Sequence, residues 1–211
     1  MLFSILPALL LSPLAWKVGV VGAQGGLGRE LVEQCVARQW ECVAFVRRPY
    51  DPILTPARRG WLEPRDELCR PRNMDLITVR DVRCDGAADC NALVFAMSGK
   101  PFMKDDSTKV MEHILGTTLP NGRCTKVVLV SAHGVGDSAK EDELGISVMR
   151  NWYLRSAYEE KEHQERLIGS LSCHTLVLRP KVLSYDTIPF NKDATRRKDL
   201  SETIMRWASP P

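Results

Sequence analysis

Two kinds of hydrophobic pattern alternate along this chain. Short apolar runs, which are typical of buried parallel strands, are separated by longer stretches with apolar residues at helical spacing. The runs predict six strands, at Lys17–Val21, Glu41–Val46, Asp75–Val79, Ala92–Met97, Lys126–Ser131 and His174–Leu178. Helices are predicted at Gly26–Arg38, Lys104–Leu115 and Val148–Gly169, and Thr195–Leu200 resembles a helix start. This order predicts an α/β fold, a Rossmann-type doubly wound parallel sheet in a single domain.

A glycine-rich turn joins the first predicted strand to the first predicted helix. It reads Gly22-Ala23-Gln24-Gly25-Gly26-Leu27-Gly28, with the spacing G-x-x-G-x-x-G instead of G-x-G-x-x-G. Glycines let a backbone turn tightly and approach a pyrophosphate, and the helix start offers unpaired N–H groups to that anion. We therefore predict a dinucleotide site at this turn. The alternative is a turn that only packs the helix on the strand.

The end of the second predicted strand bears on which dinucleotide is bound. An NAD-selective site places an acid there for the ribose 2′-hydroxyl, whereas this strand ends in Arg47 and Arg48. A guanidinium suits the additional 2′-phosphate of NADP, so NADP(H) is favoured over NAD(H). The segment Pro49–Arg72, rich in proline and arginine, follows and predicts mostly loop. It is either a surface excursion or a basic flap over a phosphate.

The end of the fifth predicted strand carries further candidate chemistry, because the carboxyl ends of parallel strands line the ligand crevice. Ser131 can hydrogen-bond near a nicotinamide or a substrate carbonyl. His133 is a candidate proton donor, although it would also fit as a solvent-facing loop residue. The charged run Glu159–Glu165, in the helix predicted at Val148–Gly169, is interpreted mostly as a solvated helix face.

Several segments together resemble one family, the atypical short-chain dehydrogenase/reductases of NmrA-like and biliverdin-IXβ (flavin) reductase-like type. The resemblance spans nearly all of the chain from Lys17 to Trp207. It rests on the glycine turn and on six further segments, which are Val46-Arg47, Asp81-Val82, Val130–Ser138, Glu160–Glu165, Arg179-Pro180 and Arg197–Leu200. The combination is specific, although each motif alone is not.

The resemblance implies roles for individual residues. Gln24, Gly25, Gly26 and Leu27, within the turn bounded by Gly22 and Gly28, would hold the pyrophosphate. Arg47 would bind the 2′-phosphate, and Asp81 and Val82 would flank the adenine. Ser131, Lys161 and Pro180 would lie along the nicotinamide and its ribose, with Ser131 and Lys161 as the candidate catalytic residues. No metal site is expected.

One departure from the classical pattern affects the predicted chemistry. Classical members use Tyr-x-x-x-Lys, in which the lysine lowers the tyrosine pKa, but here Ala157 stands at that spacing and Tyr158 is displaced by one position. Flavin and biliverdin reductases resemble the chain in lacking this pair, which implies hydride transfer to a planar or carbonyl acceptor. The alternative is a non-catalytic NAD(P)-sensing regulator or assembly factor of NmrA-like type. Tyr158 shares a helix face with Lys161, so a role for it stays open.

Composition adds few constraints. The net charge of +3 is too small to indicate a nucleic-acid partner, and the expected partner is a small-molecule acceptor. Seven scattered cysteines without metal spacing indicate reduced, buried thiols. The chain is expected to be a monomer or weak homo-oligomer.

The first sixteen residues form an uncharged apolar extension to the domain predicted at 17–211. They are short for a membrane span and interrupted by Pro7 and Pro13. We predict a cytoplasmic protein without a stable membrane span. The alternative is an organellar or secretory location, if Met1–Ala15 is a targeting segment.

Overall fold

The computed structural model describes residues 16–46, 74–78, 89–97, 107–141, 154–184 and 194–211. Several predicted features lie outside these ranges. They are the extension Met1–Ala15, the arginine pair Arg47 and Arg48, the segment Pro49–Arg72, the adenine-flanking residues Asp81 and Val82, and the first residues of the helices predicted at Lys104–Leu115 and Val148–Gly169.

Six parallel strands form the main sheet of the described residues. They are β1 (Lys17–Val21), β2 (Glu41–Val46), β3 (Met74–Thr78), β4 (Ala92–Phe95), β5 (Lys126–Val130) and β6 (His174–Leu178). The order across the sheet is β3-β2-β1-β4-β5-β6, so the chain winds outward in one direction and then in the other. This confirms the predicted doubly wound Rossmann-type sheet, and its topological switch point lies between β1 and β4.

Four α-helices cover the sheet within the same ranges: α1 (Gly26–Ala37), α2 (Ser107–Thr118), α3 (Arg155–Gly169) and α4 (Arg197–Ala208). Helix α1 ends because Gln39 takes a left-handed φ of 57° just beyond its C-cap, Arg38. The prediction placed the start of α3 at Val148, but it begins at Arg155 after the N-cap residue Leu154.

The hydrophobic core has two layers, one on each face of the sheet. On β5, Val128 and Val130 face α1 and α4, whereas Val127 and Leu129 face α2 and α3. All four side chains are buried. Burial on both faces explains why this strand reads as a continuous apolar run instead of an alternating one.

Two short strands were not predicted from the sequence. β7 (Val182–Ser184) and β8 (Ala194–Arg196) pair in parallel with each other and lead into α4. β6 lies at the edge of the described sheet, and its first residues, His174 and Thr175, are exposed. The prediction of a strand covered on both faces is therefore wrong for the start of β6.

The two ends of the described domain meet at the amino ends of the strands. The Trp16 indole N–H donates to the Ala208 carbonyl at 2.9 Å. The Lys126 ammonium, at the start of β5, donates to the carbonyls of Trp207 and Ser209 at 3.0 and 2.5 Å. These contacts satisfy carbonyls that the last turn of α4 leaves unpaired.

The described cysteines carry free thiols, as the sequence indicated. Cys35, Cys42, Cys90 and Cys124 are buried, and Cys173 is partly exposed. Burial raises the pKa of the Cys90 and Cys124 thiols to about 12. A contact with the Cys35 side chain, together with burial, raises the pKa of Cys42. These thiols act as packing groups.

Within the described ranges, no helix is long and apolar enough to span a bilayer.

Candidate functional site

The glycine turn is wedged between the carboxyl ends of β2 and β4. The amides of Gly22 and Ala23 both donate to the Phe45 carbonyl at 3.3 Å. Gly22 has a φ of +87°, and a Cβ added to it would lie only 2.6 Å from the Ala96 carbonyl oxygen. Both the conformation and the space therefore require glycine at this position.

Helix α1 begins directly against this turn. A Cβ on Gly28 would overlap the Gly22 carbonyl oxygen and lie 2.7 Å from the Ala23 Cα. The first intrahelical bond runs from Arg29 N–H to Gly25 O at 3.0 Å, so the amides of Gly26, Leu27 and Gly28 precede it. The first turn of α1 carries no acidic side chain. Close backbone approach, unpaired amides and the helix dipole together fit the pyrophosphate of a dinucleotide.

Ser131 extends β5 at the predicted position. Its amide donates to the Leu178 carbonyl at 2.8 Å, which fixes the residue against the end of β6. The side chain is buried, and its hydroxyl has no hydrogen-bond partner in the described part of the chain. An unpaired buried hydroxyl costs free energy, about 1–3 kcal/mol, and native sites of this kind usually have a reason.

Lys161 is buried, and its ammonium is bound by protein oxygens. It donates to the Met97 carbonyl at 2.6 Å, to the Val130 carbonyl at 2.9 Å and to the Gln164 side-chain oxygen at 3.1 Å. Lys161 therefore ties the carboxyl ends of β4 and β5 together from α3.

The loop after β5 holds the other two candidates for proton transfer. Tyr158 donates its hydroxyl proton to the His133 carbonyl at 3.0 Å, and the His133 amide donates to the Pro180 carbonyl at 3.1 Å. His133 is 9% exposed, so the alternative of a solvent-facing histidine is wrong. Through these bonds, Tyr158 and Pro180 hold the backbone of His133 in place.

The charged run on α3 is more buried than the sequence indicated. Glu165 forms a two-bond ion pair with Arg179, at 2.9 and 2.7 Å, and the pair raises the Arg179 pKa. A Cβ on Gly136, which has a φ of +55°, would lie within 2.8 Å of both side chains. The prediction that Glu159–Glu165 is mostly a solvated face holds for the exposed residues Glu159, Glu162 and His163, and it fails for Lys161 and Gln164, which are buried.

These residues lie at the carboxyl ends of neighbouring strands, next to the topological switch point, where a ligand crevice is expected in this fold. Gly22 abuts Ala96, the next residue Met97 accepts from Lys161, and Lys161 also binds the carbonyl immediately before Ser131. The structure thus brings the glycine turn and the predicted nicotinamide-end residues to the carboxyl ends of β1, β4 and β5. Two residues of this arrangement, Glu160 and Gln164, were not predicted as site residues.

Comparisons with known proteins identify the family of the chain. The family model described as NAD(P)H-binding matches residues 22–207. No curated protein matches the sequence.

Solved structures share the fold at low sequence identity. The chain is similar to ChuY, an anaerobillin reductase from Escherichia coli O157:H7, with 18% identity, a TM-score of 0.69, and coverage of 92% of this chain and 91% of that one. It is also similar to the oxidoreductase ylbE from Lactococcus lactis, with 13% identity, a TM-score of 0.63, and coverage of 90% and 84%. A short-chain dehydrogenase from Streptomyces avermitilis gives 15% identity, a TM-score of 0.61, and coverage of 95% and 86%.

Proposed function

Since the chain belongs to the NAD(P)H-binding family and has the fold of an atypical short-chain dehydrogenase/reductase, we propose that it is an oxidoreductase that uses NADPH. Its acceptor is a planar or carbonyl compound. The observation that carries the proposal is the buried Ser131 hydroxyl, which has no hydrogen-bond partner among the described residues and lies at the same end of the sheet as a glycine turn suited to a dinucleotide. A group of this kind at the end of β5 favours a polar ligand there over a purely structural turn.

The residues of the chain divide the work between binding and orientation. The amides of Gly26, Leu27 and Gly28 bind the pyrophosphate, and the side chain of Gln24 flanks it. Arg47 binds the 2′-phosphate, while Asp81 and Val82 flank the adenine. Ser131 hydrogen-bonds the nicotinamide end, and Lys161 and Pro180 shape its surroundings. The bound cofactor supplies a hydride, and water supplies the proton.

The first experiment measures NADPH oxidation with FMN, a quinone and biliverdin as acceptors. We expect turnover with at least one of them, and a marked fall for Ser131→Ala. Ser170→Ala is the matched control, because its exposed hydroxyl only donates to the Leu167 carbonyl at the end of α3. Tight binding of NADPH without turnover of any acceptor would contradict the proposed oxidoreductase activity.

A second experiment addresses the choice between NADPH and NADH. Arg47→Glu should weaken NADPH binding far more than NADH binding, because only NADPH carries the 2′-phosphate. Arg48→Glu is the neighbouring comparison and separates a specific contact from a general change of charge. Equal losses of both cofactors in Arg47→Glu would show that this guanidinium does not contact the 2′-phosphate.

A cofactor-sensing regulator is the second candidate function, and specific contacts favour it. The hydroxyl of Tyr158 is bound to a backbone carbonyl, and the ammonium of Lys161 is bound to three protein oxygens. Neither group is arranged as a tyrosine–lysine pair for proton transfer. Turnover that falls in Ser131→Ala but not in Ser170→Ala would eliminate the regulator.

A further inference from the structure

A chain of hydrogen bonds runs through the buried side of α3, starting from Lys161. The ammonium donates to the side-chain oxygen of Gln164, which is 1% exposed. The Gln164 amide nitrogen donates to the Ser107 hydroxyl at 3.0 Å, and Ser107 donates to the carboxylate of Glu160 at 2.5 Å. Glu160 also accepts from the Thr108 amide at 3.1 Å, so it caps the start of α2.

The direction of this chain is fixed by chemistry. An ammonium only donates and a carboxylate only accepts, so the amide of Gln164 must present oxygen to Lys161 and nitrogen to Ser107. Every proton therefore points from the buried cation toward the anion. Hydrogen bonds aligned in this way reinforce one another in a low-dielectric interior. Gln164 thus connects the two charges of Lys161 and Glu160 across the junction of α3 and α2.

The cationic end of the chain lies directly behind the candidate site. The two carbonyls bound by Lys161 belong to Met97, which follows the wall of the glycine turn, and to Val130, which precedes Ser131. A movement of this ammonium would shift both strand ends relative to each other. Such a movement would act first on the predicted nicotinamide half of the crevice, because the predicted adenosine half lies on the side of β1 and β2.

We infer that Gln164 and Glu160 are positioning residues for the nicotinamide end of the cofactor. They hold the Lys161 ammonium against the carbonyls of Met97 and Val130, and so fix the spacing of β4 and β5 beneath the ring. The inference rests on the proposed function, because it concerns the same site. It also explains what Lys161 does in a chain where Ala157 stands at the position of the usual tyrosine.

The test compares NADPH with 2′-phospho-ADP-ribose, which is the same molecule without nicotinamide. In Gln164→Met, the side chain keeps its length but loses its hydrogen bonds to Lys161, Ser107 and Thr108. We expect the variant to bind NADPH about tenfold more weakly and the fragment within about twofold of the wild type. A residue with only a structural role would change both affinities alike or change neither.

Controls separate positioning from stability. Gln34→Met makes the same substitution on α1, where the side chain accepts from Arg38 away from the crevice. Ile204→Val removes a buried methylene from α4 and lowers stability without touching the crevice. Glu160→Gln keeps an acceptor oxygen for Ser107 but removes the charge. If Gln164→Met does not fold, Glu160→Gln serves as the second test variant. We expect it to lose less affinity for NADPH than Gln164→Met, again without a matching loss for the fragment.

The outcomes distinguish this inference from the function on which it rests. A wild-type protein that binds neither NADPH nor its fragment would overturn the proposed function. Equal weakening of both ligands, or no weakening of either, in folded Gln164→Met or Glu160→Gln would overturn the positioning role alone. A loss confined to NADPH supports both.

Discussion

Gly22→Ala tests the geometry of the glycine turn. A left-handed φ costs a residue with a Cβ about 1–2 kcal/mol, and Gly22 has a φ of +87°. The new Cβ would lie 2.6 Å from the Ala96 oxygen, about 0.9 Å inside a normal heavy-atom contact of roughly 3.5 Å. Overpacking of this kind costs about 1–3 kcal/mol. The expected loss of stability is the sum, roughly 2–5 kcal/mol.

Thermal unfolding followed by circular dichroism measures this loss. In a domain of this size, each kcal/mol shifts Tm by about 2–4 °C, so Gly22→Ala should lower it by roughly 4–20 °C. Gly116→Ala is the matched control, because Gly116 is exposed on α2 and nothing lies within 4 Å of its added Cβ. Alanine favours a helix by about 0.5–1 kcal/mol over glycine, so this variant should unfold at a higher temperature.

Cofactor titration completes the test. Relief of the clash must move the turn away from Ala96, which disturbs the backbone that receives the pyrophosphate. We expect folded Gly22→Ala to bind NADPH at least about tenfold more weakly than the wild type. The fluorescence of NADPH during the titration measures this affinity. An unchanged Tm would refute the steric reasoning. A lower Tm with unchanged NADPH affinity would show that the turn serves packing and not the cofactor.

Three further predictions concern groups around the crevice and in the core. Tyr158→Phe should keep turnover and lose about 1 kcal/mol of stability, because the Tyr158 hydroxyl donates to the backbone carbonyl of His133. Loss of turnover at unchanged stability would contradict this prediction. Glu165→Gln should cost about 1–2 kcal/mol in urea unfolding, whereas Arg155→Gln, from an exposed pair, should leave the midpoint unchanged. The raised pKa values of Cys90 and Cys124, about 12, mean that the folded state keeps protons which the unfolded state loses above pH 9. The free energy of unfolding should therefore fall from pH 9 toward 12, and less steeply after both are replaced by alanine.

Most of the described sheet was predictable from the sequence, because buried parallel strands leave a simple signal. β1, β2 and β6 have the predicted bounds, and the glycine turn lies between strand and helix as expected. β7 and β8 were missed because strands of three residues carry no periodicity. Helix α3 begins at Arg155, later than predicted, and residues 148–153 of the predicted helix lie outside the described ranges.

The candidate site was predictable where backbone conformation decides the residue type, as at Gly22. It was less predictable where long-range contacts decide a side chain's role. Glu160 and Gln164 read as members of a charged helix surface, yet their partners lie more than 50 residues away in α2. The sequence did contain one signal for their shared role. Glu160 and Gln164 are four residues apart and so lie on one face of the helix, with Lys161 between them in the sequence.

The contacts of Trp16 and Lys126 with the last turn of α4 have a practical consequence for binding measurements. They gather both ends of the described domain at the amino ends of the strands, whereas the crevice lies at the carboxyl ends. A strand of five residues spans roughly 16 Å, so the two sides are separated by the thickness of the sheet along its strands. A protein attached to a sensor surface through the residues that follow α4 would therefore present the crevice to the flowing ligand.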